Sequence, residues 1–132
     1  MADVIPESHR DLLDKPGFLH LASLGPDGRP QVHPVWYEWD GTHLLVSSTQ
    51  PRQKTKNVRR DARVAGTVLD PENPYRYLEI RGTVESVEDD PTGSLIHRLA
   101  KKYFGTERYE KEADNSARVI LRIRPDKAHA KS

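Results

Sequence analysis

Cysteine is absent from the 132 residues, which removes a disulfide framework, thiolate metal sites and a cysteine nucleophile together. Methionine occurs once, and phenylalanine and tryptophan twice each, so the interior must be assembled from few apolar side chains. Hydrophobic residues make up 35% against 31% charged, a thin interior of the kind that often buries more by pairing. No stretch approaches the roughly 18 apolar residues of a membrane span, and residues 1–10 hold no apolar leader region. A soluble, cytoplasmic protein is the expectation. Neither sign of charge dominates: 21 Lys and Arg stand against 20 Asp and Glu, a net charge of +1. No global field draws in nucleic acid, so any anion site must be local.

What the chain does contain is strand alternation punctuated by turns. The length fits one domain over 1–132, with a core over about 7–125 and a loose tail over 126–132 that lacks apolar periodicity. A short helix is expected over Glu7 to Asp14, with Leu12 and Leu13 inward and Pro16-Gly17 stopping it. Phe18 to Leu24 and Gln31 to Trp39 read as a hairpin about Gly25-Pro26-Asp27-Gly28, and Asp40-Gly41 returns the chain into Thr42 to Ser48. Gln50-Pro51 opens a helix through about Asp61, because proline suits a first helical position. Strands follow over Arg63 to Leu69 and Tyr77 to Val87, where Gly82 signals a bulge or a close backbone approach. Asp90-Pro91 begins an amphipathic helix, with Leu95, Ile96, Leu99, Ala100 and Tyr103 at helical spacing, which Gly105 ends. Ala117 to Arg124 is the last strand. The fold class is therefore mainly β, a six-stranded antiparallel barrel with helices packed on its ends.

One stretch stands out for chemistry. Between Pro51 and Arg63 lie Arg52, Lys54, Lys56, Arg59, Arg60 and Arg63, opposed only by Asp61. On a helix at about 100° per residue, Arg52, Lys56, Arg59, Arg60 and Arg63 share one side while Lys54 and Val58 point away from it. Val58 belongs against the barrel, so Lys54 is turned toward the protein body or a ligand, where an ammonium is costly unless an anion answers it. Ser47, Ser48 and Thr49 precede the helix start, so hydroxyls, free N–H groups and the positive helix end converge there. A solvated basic face with Lys54 paired to a carboxylate fits the same charge pattern.

The order Gly28-Arg29-Pro30-Gln31, Val35-Trp36-Tyr37, Asp40-Gly41, the run Arg52-Gln53-Lys54-Thr55-Lys56-Asn57-Val58-Arg59-Arg60-Asp61, and Tyr77-Leu78-Glu79-Ile80-Arg81-Gly82 resembles the pyridoxamine 5′-phosphate oxidase-like split β-barrels. More narrowly it resembles flavin/deazaflavin oxidoreductases of subgroup B, which favour coenzyme F420. The resemblance implies the FMN-binding split-barrel fold and a homodimer with cofactor between subunits. It also implies phosphate held by Arg52 and Lys54, with Gln31, Val32, Ser47, Ser48, Thr55, Lys56 and Asn57 around the cofactor. The activity implied is hydride transfer from F420 to a small conjugated or heteroaromatic substrate; FMN, or a non-catalytic carrier role, is the alternative.

No protein nucleophile or acid–base pair accompanies this site. Spacing suggests no Ser/His/Asp triad and no carboxylate pair in an apolar setting, so no catalytic residue is assigned. His20, His33, His43 and His97 lack metal-ligand spacing, so no metal is assigned either. Trp36 and Trp39 read as core or subunit contacts, and Tyr77 and Arg81 as strand polarity. A cofactor that carries the reactive group asks the protein only to bind, orient and exclude water.

Overall fold

The computed structural model describes residues 4–107, 109 and 117–132. A 3-10 helix over Glu7–Asp14 is followed by strands β1 (Leu19–Leu24), β2 (Pro30–Val35), β3 (Glu38–Trp39) and β4 (Leu44–Thr49). Helix α1 (Gln53–Arg60), strands β5 (Arg63–Asp70) and β6 (Asn73–Asp89), helix α2 (Ser94–Phe104) and strand β7 (Arg118–Lys131) complete the order. Among the described residues seven strands form one antiparallel sheet in the order β2-β1-β5-β6-β7-β4-β3, a mainly β split barrel.

The sheet has seven strands where the sequence pattern predicts six, because the stretch Gln31 to Trp39 is two strands. β2 pairs with β1, whereas β3 pairs with β4 at the opposite edge of the sheet. Only Trp36 and Tyr37 separate them, a span of about 11 Å between Val35 and Glu38 at most, so the sheet must roll until its edges nearly meet. At the crossing the Tyr37 N–H leaves the ladder and donates to Tyr103 Oη at 3.2 Å, while Tyr37 Oη donates to Leu12 O at 2.6 Å. Tyr37 is fully buried, and burial pushes its phenol far above its ordinary value. The split in the barrel is thus closed by a side chain instead of by strand pairing.

Inward residues of the strands alternate with outward ones and meet in one core that includes Leu19, Leu21, Val46, Val68, Leu78, Ile80, Leu121 and Ile123. Leu12 and Leu13 of the 3-10 helix close one end, as expected. A satellite cluster of Leu45, Leu95, Ile96 and Leu99 seats α2, with Trp36, Tyr103, Tyr109 and Ile120 against it. Lys102 of α2 donates to Tyr37 O at 2.8 Å and lies 4.0 Å over the Tyr37 ring; burial pushes its ammonium down to about 8.

Two further expectations are corrected. Residues 126–132 are not loose: β7 continues to Lys131 and pairs with β6 down to Tyr77↔Lys131. Ala128 and Ala130 pack against the core there, and alanines give a weak periodicity signal. Helix α1 starts at Gln53 instead of Pro51, because Arg52 is extended and its N–H closes a turn on Thr49 O at 3.2 Å.

The start of α2 rests on Asp90. Its buried carboxylate accepts from Ser94 N at 3.0 Å, Ser94 Oγ at 2.7 Å and Leu95 N at 3.0 Å. Burial alone would raise the Asp90 carboxyl, but these donors outweigh it and hold the group below the usual range. Its contribution is therefore present above about pH 4 and lost as pH falls through the lowered folded value. Asp90→Ala is expected to cost about 2 kcal/mol in urea denaturation at neutral pH, with the gap to wild type shrinking in acid.

Candidate functional site

Helix α1 lies across the barrel because two of its buried polar side chains, Thr55 and Asn57, are committed to the sheet beneath it. Asn57 Nδ2 donates to Ser23 Oγ at 3.0 Å and to Gln31 Oε1 at 2.8 Å, and Asn57 Oδ1 accepts from Gln53 Nε2 at 2.8 Å. Thr55 Oγ1 donates to Thr49 O at 2.8 Å and so receives the Ser48 hydroxyl at 2.8 Å. Thr55 and Asn57 are fully buried. A misplaced helix would strand these groups without partners, which fixes the register of α1 on β1, β2 and β4.

With the helix so fixed, its N-terminus opens on a groove of about 190 Å³ that includes Pro34, Trp36, Ser47, Arg52, Lys54 and Arg118 in its lining. Ile96, Leu99 and Tyr109 form an apolar wall, and the Trp36 ring stacks on Tyr103 at 4.8 Å. Among the described residues no side chain caps α1, and its first turn holds no acidic residue, so the positive end of the helix faces the groove.

Lys54 is the unusual residue. It is only 7% exposed, and among the described residues no hydrogen bond or ion pair involves its ammonium, which opens on the groove. Burial, and next the neighbouring Arg52 guanidinium, push it below the ordinary lysine value. Arg52 is exposed at the rim.

The residues expected around a cofactor divide into three sets. Ser47, Arg52 and Lys54 line the groove. Gln31, Ser48, Thr55 and Asn57 form the buried joint beneath the helix. Val32 and Lys56 face away from that joint, Val32 being 60% exposed. Sequence reasoning missed Arg118, which is 4% exposed, lines the groove, and donates from Nη1 to Ser47 Oγ at 3.2 Å. Its strand alternates Arg118, Arg122 and Arg124, and nothing in that row marks one arginine as buried. The inward turn of Lys54 and Val58 is as expected.

The family model for pyridoxamine 5′-phosphate oxidase matches residues 5–132. The chain belongs to the pyridoxamine 5′-phosphate oxidase family. Among solved members of similar shape is an F420 reductase, 44% identical, matched over 95% of this chain and 98% of that one with a TM-score of 0.88. A conserved hypothetical protein from Mycobacterium tuberculosis is 26% identical over 100% of this chain and 88% of that one, TM-score 0.75. The heme storage protein of Vibrio cholerae, 14% identical over 98% and 96% with a TM-score of 0.65, shares the fold alone. A fold of this family therefore does not name its ligand, and the ligand must be argued from the groove.

Proposed function

We propose that this chain is an F420-dependent oxidoreductase. The observation that carries the reading is the buried Lys54 ammonium, which has no described protein partner and opens on a groove at the uncapped start of α1. A buried cation is tolerated where an anion meets it, and a cofactor phosphate supplies one. The 44% identity to an F420 reductase makes the deazaflavin the first choice over FMN.

In this reading Lys54, Arg52 and the N–H groups opening α1 hold the phosphate. Ser47 fixes the groove floor through Arg118, and Trp36, Ile96, Leu99 and Tyr109 exclude water from it. When bound, the coenzyme supplies hydride from its ring C5 for a small conjugated or heteroaromatic acceptor.

A second copy of the chain belongs to the same reading. The outward side of β1, β5 and β6 carries a groove of about 450 Å³ whose lining includes Ala22, Leu24, Pro30 and Ala65, with Arg63, Arg81 and Asp126 among the rest. Such a surface suits a homodimer that shares its cofactors between subunits.

Fluorescence titration of the purified protein with F420 and with FMN tests the cofactor, F420 being expected to bind more tightly. Micromolar preference for FMN would overturn that choice. Reduced F420 offered with quinones, nitroaromatics and biliverdin separates enzyme from carrier, since a carrier gives no oxidation above the free-cofactor rate. Light scattering of the same sample should report twice the mass of one chain; a monomer would remove the shared-site reading.

A further inference from the structure

The described lysines fall into two groups. Lys15 pairs with Asp70 at 3.2 Å and Lys101 with Glu107 at 3.7 Å, while Lys56, Lys127 and Lys131 are exposed to water. Two others are drawn into the protein, and they differ in what meets the nitrogen. Lys102 gives its protons to Tyr37 O at 2.8 Å and Leu13 O at 3.4 Å, and burial pushes its ammonium down to about 8. Lys54 is 7% exposed, and among the described residues no hydrogen bond or ion pair involves its nitrogen.

Lys54 has a groove and a helix start in place of a partner. It is the second residue of α1, whose first turn has no side-chain cap, and it lines the groove onto which that turn opens. An anion seated on the first-turn N–H groups therefore lies within reach of the Lys54 side chain. Burial, and next the Arg52 charge, favour the neutral amine, and only the neutral amine has a lone pair to give. The charged or titratable groups that share the groove are Arg52, Arg118 and Tyr109, and no carboxylate is among its described lining. Such a groove admits an anionic reagent more readily than it admits a cationic one.

The geometry points to Lys54 as an acylation site whose reagent is a small acyl phosphate. The phosphoryl group sits on the N–H groups opening α1 and sets the carbonyl carbon against Nζ. The Nζ lone pair attacks that carbon and a C–N bond forms. The bond from carbon to the phosphate oxygen breaks, its electron pair leaves with inorganic phosphate, and the Nζ proton passes to solvent. The product is an uncharged amide on Lys54, with nothing oxidised or reduced. Acylation then removes the cation and fills the groove, so the modified chain no longer takes its cofactor. That consequence rests on the deazaflavin reading above; the acylation itself does not.

The experiment treats the full wild-type chain with acetyl phosphate at neutral pH and follows each lysine by peptide mass spectrometry. Lys54 is expected to acylate about tenfold faster than exposed Lys56. It should also precede Lys102, whose ammonium is likewise depressed but is held by two carbonyls away from any anion site. Inorganic phosphate should slow the reaction at Lys54 and leave Lys56 untouched. The neutral donor p-nitrophenyl acetate should show no such competition. Modification of Lys102 ahead of Lys54 would mean that a depressed ammonium alone decides, and the inference falls. It falls equally if Lys54 reacts no faster than Lys56, or if phosphate does not compete. Prior addition of F420 is expected to shield Lys54. Selective acylation that F420 fails to slow supports the inference and overturns the assignment of Lys54 to the cofactor phosphate, so the two readings fail separately.

Discussion

Replacing Lys54 with alanine is expected to weaken deazaflavin binding by about fiftyfold, the loss of one charge-assisted contact to phosphate in a low-dielectric groove. The stability of the unliganded protein should move the other way. Burial and the Arg52 charge depress the Lys54 ammonium, so its charged form costs free energy in the folded state and is fully tolerated in the unfolded chain. That cost is present at neutral pH and fades as pH rises toward the ordinary lysine value of about 10.4. Lys54→Met, which keeps the apolar stem, should therefore melt higher than wild type at pH 7, and the gap should narrow in alkaline buffer. A wild-type protein more stable than Lys54→Met at pH 7 would mean that the ammonium already has an anionic partner in the chain, and the phosphate assignment would fall. Affinity and stability trade against each other at one residue, as expected where a site is built for a ligand.

Gly82→Ala is expected to cost about 3 kcal/mol in chemical denaturation, the largest stability loss foreseen for a one-methyl change in this chain. A Cβ at Gly82 would lie 2.6 Å from Arg124 O and 3.1 Å from Ile123 Cγ2, and the nearer obstacle is backbone, which cannot rotate aside. The β6–β7 register shifts between Arg81 and Gly82, so relief would require moving the junction that carries Ile123 into the core. Gly28 is the control: its φ of +83° strains any other residue, but nothing lies within 4 Å of a Cβ there, so Gly28→Ala should cost only about 1 kcal/mol. Equal, small losses at both positions would show that the two strands are not locked together at Gly82.

Much of this fold was legible because local chemistry and global packing agree at particular residues. Leu12 and Leu13 reach the core, Gly82 sits at a bulge, and Gly105 ends α2 with φ of +76°. The break at Trp36–Tyr37 was not legible, since apolar alternation runs through it and only the sheet order reveals that β2 and β3 lie on opposite edges. The C-terminal half of β7 was missed because Ala128 and Ala130 are too small to mark a buried face. Within the site, the helical period separated Lys54 from the outer basic row. It could not tell groove-facing Ser47 from Ser48, Thr55 and Asn57, whose hydrogen bonds bind the helix to the sheet. Nor could it single out Arg118, because Arg122 and Arg124 repeat its pattern while pairing with Glu88, at a half-buried position, and with Glu85, at an exposed one.

The adjacency of β4 and β7 also bears on how the protein comes into being. Ser47 and Arg118 stand 71 residues apart in the chain and meet only when the last strand enters the sheet. Loop closure over such a distance is slow and entropically costly, so it belongs late in folding. A ligand that needs both sides of the groove has nothing to grip on a chain whose final strand is still unpaired. If the groove holds the proposed deazaflavin, its binding energy falls wholly on the closed barrel, and binding would favour finished molecules over those still short of their last strand.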